Sequence, residues 1–164
     1  MTPADIHGES SGGARRASAS SGRTSGERGA RGRTTEEVQA LLDRFARALT
    51  AGDGEAAADL WEAPAFVIGD TGTHPVGSRD EVVQFFSGAR EQYNSLGIIE
   101  TRAEIVDLEW ISDNLLVVRV RWPHLDAQGR ERGEESSSYT MMRDANGALK
   151  IRVVLMRGAK SSAP

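Results

Sequence analysis

Asp70 and His74 stand four residues apart in a glycine-rich stretch, and a carboxylate beside an imidazole is the pairing that a general base with an orienting partner requires. The same two residue types are equally at home in a surface turn. A further imidazole, His124, follows Pro123 where a loop begins. These two histidines occupy separate loops without metal-ligand spacing, so neither a metal nor another cofactor is expected. The chain has no cysteine. Disulfides, thiolate metal sites and a thiol nucleophile are excluded, and a reducing, cytoplasmic setting is the simpler expectation. The arginines that could meet an anion within a fold are Arg119, Arg121 and Arg152.

These groups need a scaffold, and its elements are legible. Thr34 followed by Glu37 is a capping box, and Val38, Leu41, Leu42, Phe45 and Leu49 then recur on one helical face. Asp53 caps a short second helix through Ala57, Leu60 and Trp61, which Pro64 is expected to stop. Ala65 to Ile68 reads as a brief strand. Ser78 and Glu81 form a second capping box before Val82, Phe85, Phe86, Ala89 and Tyr93, the third helix. From Ile98 the period changes to two, with strands expected near Thr101–Trp110, Leu115–Trp122, Glu134–Arg143 and Leu149–Met156. Asp113-Asn114, Asp126 to Gly129 and Asp144 to Gly147 supply the turns. Three helices ahead of an antiparallel meander predict an α+β domain with the helices on one side of a curled sheet. No internal repeat is visible.

The 164 residues suffice for one domain, placed at 34–158, with a short tail at 159–164. Residues 1–33 are dominated by Gly, Ser, Ala and Arg and lack Val, Leu and aromatics, so disorder is expected there. Arg28, Arg31 and Arg33 among glycines suggest an RNA-binding arm, but no aromatic is present to stack on a base, so a solvated leader, or a start placed too far upstream, is the expectation. The net charge is −4, and the six arginines of residues 1–33 set against Asp5, Glu9 and Glu27 leave about −7 for the rest. An acidic domain is a poor partner for nucleic acid. No apolar run approaches the roughly 18 residues a membrane span needs.

The order of elements, the stretch from Leu60-Trp61 to Phe85-Phe86, and Tyr139-Thr140 before an Asp-Ala-Asn-Gly turn resemble the SnoaL-like, nuclear-transport-factor-2-like superfamily. The resemblance implies a cone whose pocket lies between the helices and the concave sheet face. It puts Phe45 where the ketosteroid isomerase branch carries a Tyr, Gly69 at the base and Thr140 at the second Asp, so that mechanism has lost its groups. Asp70, one residue beyond the base position, and His74 become the substitutes. The Asp-Arg-Asp set of the epoxide hydrolase branch is also missing.

On the strand at 115–122, Leu116, Val118, Val120 and Trp122 share a face opposite Arg119 and Arg121. The resemblance places Ser138, Thr140, Arg152 and Met156 inside the cone as well. The expected pocket is therefore walled by Phe45, Trp61, Phe85, Val118, Val120, Trp122 and Met156, with Ser138, Thr140 and Arg152 as its polar points. An inward Arg152 calls for an anion, from the protein or from a carboxylate, enolate or phosphate of a ligand. The opposite face, with Tyr139, Met141, Ile151, Val153 and Leu155, is then the more apolar, which a homodimer through the outer sheet face would explain. Two functions stay open: a domain that binds a small apolar or carboxylated molecule without catalysis, and an isomerase, cyclase or dehydratase using Asp70 or His74.

Overall fold

The computed structural model describes residues 33–161. Almost all of the expected N-terminal tail, and residues 162–164, lie outside the described residues. Helix α1 (Thr35–Ala51) begins at the capping box: the Thr34 hydroxyl accepts the Glu37 N–H at 3.3 Å. It buries Val38, Leu41, Leu42, Phe45 and Leu49, and ends at Gly52, whose φ of 66° lets the chain turn out of the helix. Asp53 caps α2 (Gly54–Ala58), accepting the Ala56 N–H at 3.0 Å. Helices α3 (Arg79–Ser87) and α4 (Ala89–Ser95) replace the single third helix of the sequence reading, since the chain is interrupted at Gly88. Gly54 lies so close to the Val83 carbonyl and the Ser87 hydroxyl that a Cβ there would overlap both; this is what lets α2 meet α3.

The seven strands are β1 (Trp61–Gly69), β2 (Gly72–Val76), β3 (Glu100–Thr101), β4 (Glu104–Ser112), β5 (Leu115–Leu125), β6 (Glu131–Arg143) and β7 (Leu149–Ser161). They form one sheet in the order β2-β1-β7-β6-β5-β3, with β4 also on β5, and only β1 and β7 run parallel. The helices cover its concave face, giving the expected α+β cone. The second helix stops earlier than predicted, and Trp61 opens β1 because it pairs with Ile151 of β7. Pro64 is then no terminator. It sits where the β1–β7 register shifts, between Trp61 and Phe66, a place that tolerates a missing ladder donor. Pro75 is accommodated on the edge strand β2. Strand β7 runs to Ser161, past the boundary expected at 158.

The predicted turns hold. Asp126 and Asp144 each accept two backbone N–H groups, from Gln128 and Arg130 and from Asn146 and Ala148, at 2.9–3.0 Å. The predicted faces hold on β5, fail on β6, and hold on β7 only beyond Arg152, where Met156 turns inward as expected. Leu116, Val118, Val120 and Trp122 pair with Met141, Tyr139, Ser137 and Glu135, so the odd-numbered residues of β6 face the helices. Ser138 and Thr140 instead pair with Arg119 and Val117 on the convex face. On β7, Ile151 pairs with Met141, Val153 with Thr140 and Val154 with Tyr139. A bulge at Arg152 therefore reverses the alternation, taking Ile151 inward before it and Val154 and Met156 inward after it.

A candidate ligand cavity under the helices

Phe45 forms the floor of a cavity of about 240 Å³ between α1, α3, α4 and the concave face of the sheet. Its ring meets Phe86 edge-on at 5.2 Å, Trp122 at 5.8 Å, and Trp61 and Tyr139 at 6.2 Å each. Such tilted pairs add about 0.5–1.5 kcal/mol each beyond area burial, so this wall is rigid without a ligand. Phe85, Val67, Val154 and Met156 continue the apolar lining toward the mouth. Phe85 is more than half exposed there.

The other end is polar. Glu135, Ser137 and Tyr139 reach it from β6, and Gln92 and Tyr93 from α4. The Glu135 carboxylate lies 3.8 Å from Nε2 of His124, whose ring packs against Tyr93 at 5.6 Å. Burial pushes the Tyr139 phenol well above its ordinary range; the nearby Ser137 and Trp122 side chains oppose this, and the Tyr93 and Glu135 charges add to it. Burial raises Tyr93 too, with Glu135 adding to it. Both phenols therefore remain hydrogen-bond donors across the physiological range. Nε1 of Trp61 and of Trp122, and Nε2 of His124, are buried and lack a hydrogen-bond partner among the described residues. The Trp122 indole nonetheless lies close enough to the Tyr139 phenol to oppose its upward shift, and none of these nitrogens exposes surface to the cavity.

Of the residues expected to wall the pocket, Phe45, Trp61, Phe85, Trp122 and Met156 line it. Val118 and Val120 share the inward face but are fully enclosed in the core beneath α1. Ser138, Thr140 and Arg152 are corrected to the convex side, for the register reason given above. Arg152 donates from Nε to the Pro64 carbonyl at 3.1 Å and pairs with Glu62 at 3.5 Å, so its anion is internal. Asp70 is exposed in the β1–β2 turn. His74, also exposed, stacks on Phe85 at the rim with ring centroids 6.4 Å apart. Neither lines the cavity. The cavity contains two phenols, Tyr93 from α4, on the helical stripe expected from the sequence, and, unforeseen, Tyr139 from β6. The apolar alternation of Tyr139 and Met141 was the signal that could have found it, since a half-buried strand turns its apolar set inward. Glu135 carried no comparable signal. Among the described residues no three His, Asp or Glu converge to hold a metal, and no helix is long and apolar enough to cross a membrane.

A family model described as NTF2-like protein (DUF6841) matches residues 36–159. No curated protein matches the sequence. Among solved structures, an NTF2-like protein with a cystatin-like fold from Novosphingobium aromaticivorans superimposes with a TM-score of 0.59 at 13% identity, covering 88% of this chain and 90% of its own. An NTF-2-like protein of unknown function from Shewanella oneidensis MR-1 gives 0.58 at 17% identity, covering 74% and 97%. A domain of unknown function with a cystatin-like fold from Nostoc punctiforme PCC 73102 gives 0.58 at 16%, covering 80% and 81%. At these identities the likeness carries the fold alone.

Proposed function

We propose that this chain, which belongs to the NTF2-like family DUF6841, serves to hold a small, largely apolar molecule in the cavity under its helices. The observation that carries the reading is the cavity of about 240 Å³ itself, walled by the rings of Phe45, Trp61, Phe85, Phe86 and Trp122 and closed at one end by Glu135, Ser137 and Tyr139. A concave, mostly aromatic lining with a few polar groups converging at one end is the usual form of a small-molecule site. A carboxylated ligand loses the arginine that motivated it, because Arg152 is on the far side of the sheet. Asp70 and His74 lie outside the lining, so a catalytic role based on them has lost its geometric support.

Native mass spectrometry of the protein purified from its own host, followed by denaturing extraction, tests this. A stoichiometric small molecule, lost on Val154→Trp, is expected. Protein that stays bare, and whose melting no small molecule from host extract raises, would sink the reading.

A second copy of the chain is the partner we propose for the convex face. Phe66, Val153, Thr140 and Val117 form one cross-strand row, and Ile68, Leu155, Ser138 and Arg119 the next. Phe66 and Leu155 are 41% and 40% exposed. Asp107, Glu109 and Arg119 border the patch, so a two-fold partner can bury the apolar rows while opposing charges meet at the edge. Sedimentation equilibrium should give a dimer that Leu155→Glu dissociates, and a monomeric parent protein at micromolar concentration would remove the proposal.

A further inference from the structure

Resting on the small-molecule reading above, we infer that the ligand is an organic cation, an ammonium group carried on an apolar frame, with its charge at Glu135 and its frame among the rings. Charge selects the sign. Glu135 is the single charged side chain lining the cavity among the described residues. The arginines that could neutralise it are committed elsewhere: Arg121 to Glu104, Glu131 and Glu134, and Arg130 and Arg132 to Asp126. Arg157 donates to the Ser138 hydroxyl on the convex face. Only His124 approaches the carboxylate among the described residues, at 3.8 Å, longer than a hydrogen bond.

Ring composition selects the same class. Seven of the nine aromatic residues of the chain line this one cavity. Tyr93, Trp122 and Tyr139 surround the carboxylate end, and the negative ring faces attract a cation held over them. An anion would meet Glu135 with no basic side chain among the described lining residues to hold it, His124 standing 3.8 Å behind the carboxylate. A neutral apolar molecule would fill the rings but strip water from the carboxylate without replacing it. A cation satisfies both. The size follows from the volume. Because a cavity of about 150 Å³ accommodates benzene, one of about 240 Å³ holds on the order of ten heavy atoms.

The experiment compares three probes of nearly equal shape on the full-length protein by isothermal titration calorimetry: phenethylammonium, neutral propylbenzene and anionic phenylacetate. Phenethylammonium should bind at least about tenfold more tightly than the other two, and Glu135→Gln should erase that preference while propylbenzene binding persists. Equal or tighter binding of propylbenzene or phenylacetate by the unaltered protein overturns the inference and leaves the small-molecule reading standing. Binding of none of the three overturns the inference, and the small-molecule reading then stands or falls on the extraction from the host. A preference that survives Glu135→Gln also overturns the assignment of the charge to this carboxylate. The ranking on the unaltered protein holds as a test even if the variant is unstable.

Discussion

Replacing Met141 and, separately, Met142 by alanine tests the strand register on which the cavity depends, because the two identical side chains are neighbours on opposite faces of β6. Met141 is fully buried and pairs with Leu116 and Ile151, whereas Met142 is 37% exposed and pairs with Leu115 and Lys150. Removing three heavy atoms from the enclosed site loses about 2 kcal/mol of transfer energy, and incomplete collapse of the gap raises the expected cost to about 2–5 kcal/mol. Folding buries only part of Met142 and water can enter the gap, so its loss should cost about 1 kcal/mol. Urea unfolding followed by far-ultraviolet circular dichroism reads the difference as a shift of midpoint at constant slope. A pairing of convex faces would make the Met142 effect grow with protein concentration and leave the Met141 effect unchanged. Costs equal to within about 0.5 kcal/mol, or a larger cost at Met142, would mean that β6 is displaced by one residue and that Tyr139 and Glu135 do not face the cavity.

Arg143 holds both oxygens of Glu37 at 2.7 and 3.0 Å and stacks over Trp110 at 5.5 Å, so Arg143→Lys, which keeps the charge but loses the fork, should cost about 1–2 kcal/mol. A double-mutant cycle with Glu37→Gln measures the coupling, and a value near zero would refute it. The chain's two tyrosines are both held above their ordinary range by burial, so ultraviolet difference absorbance should show almost no phenolate near pH 10 until the protein unfolds. Their contribution to stability is complete below about pH 10 and declines as pH rises beyond it, because only the unfolded chain then releases the protons. Burial alone would raise the Asp126 carboxyl. The Arg130 N–H, the Arg132 side chain, the Gln128 N–H and the Arg130 charge outweigh that and bring it down to about 2. Stability from this group is therefore present above about pH 4 and lost as pH falls toward 2, and Asp126→Asn should flatten the thermal-melt profile across that window.

The local features of this protein can be read from neighbouring residues alone. Thr34 and Ser78 start their helices because a hydroxyl three residues before a backbone N–H is all a cap requires. The buried stripe of α1, the turns at Asp126 and Asp144, and the inward set of β5 follow likewise from near neighbours in the chain. Trp61, Trp122 and Phe45 were recognisable as wall residues because large aromatics at helix and strand periods turn inward. The remaining features depend on contacts between distant segments. Whether Trp61 ends a helix or begins a strand depends on Ile151, ninety residues away. Which side of the sheet receives Arg152 depends on a single bulge, and a one-residue change of register moves a whole strand's side chains to the other face. Glu135 is polar within a run of polar residues, and nothing in its neighbours distinguishes it from Glu134. It reaches the cavity because β6 pairs Glu135 with Trp122, and that pairing is a property of the assembled sheet, not of either strand alone.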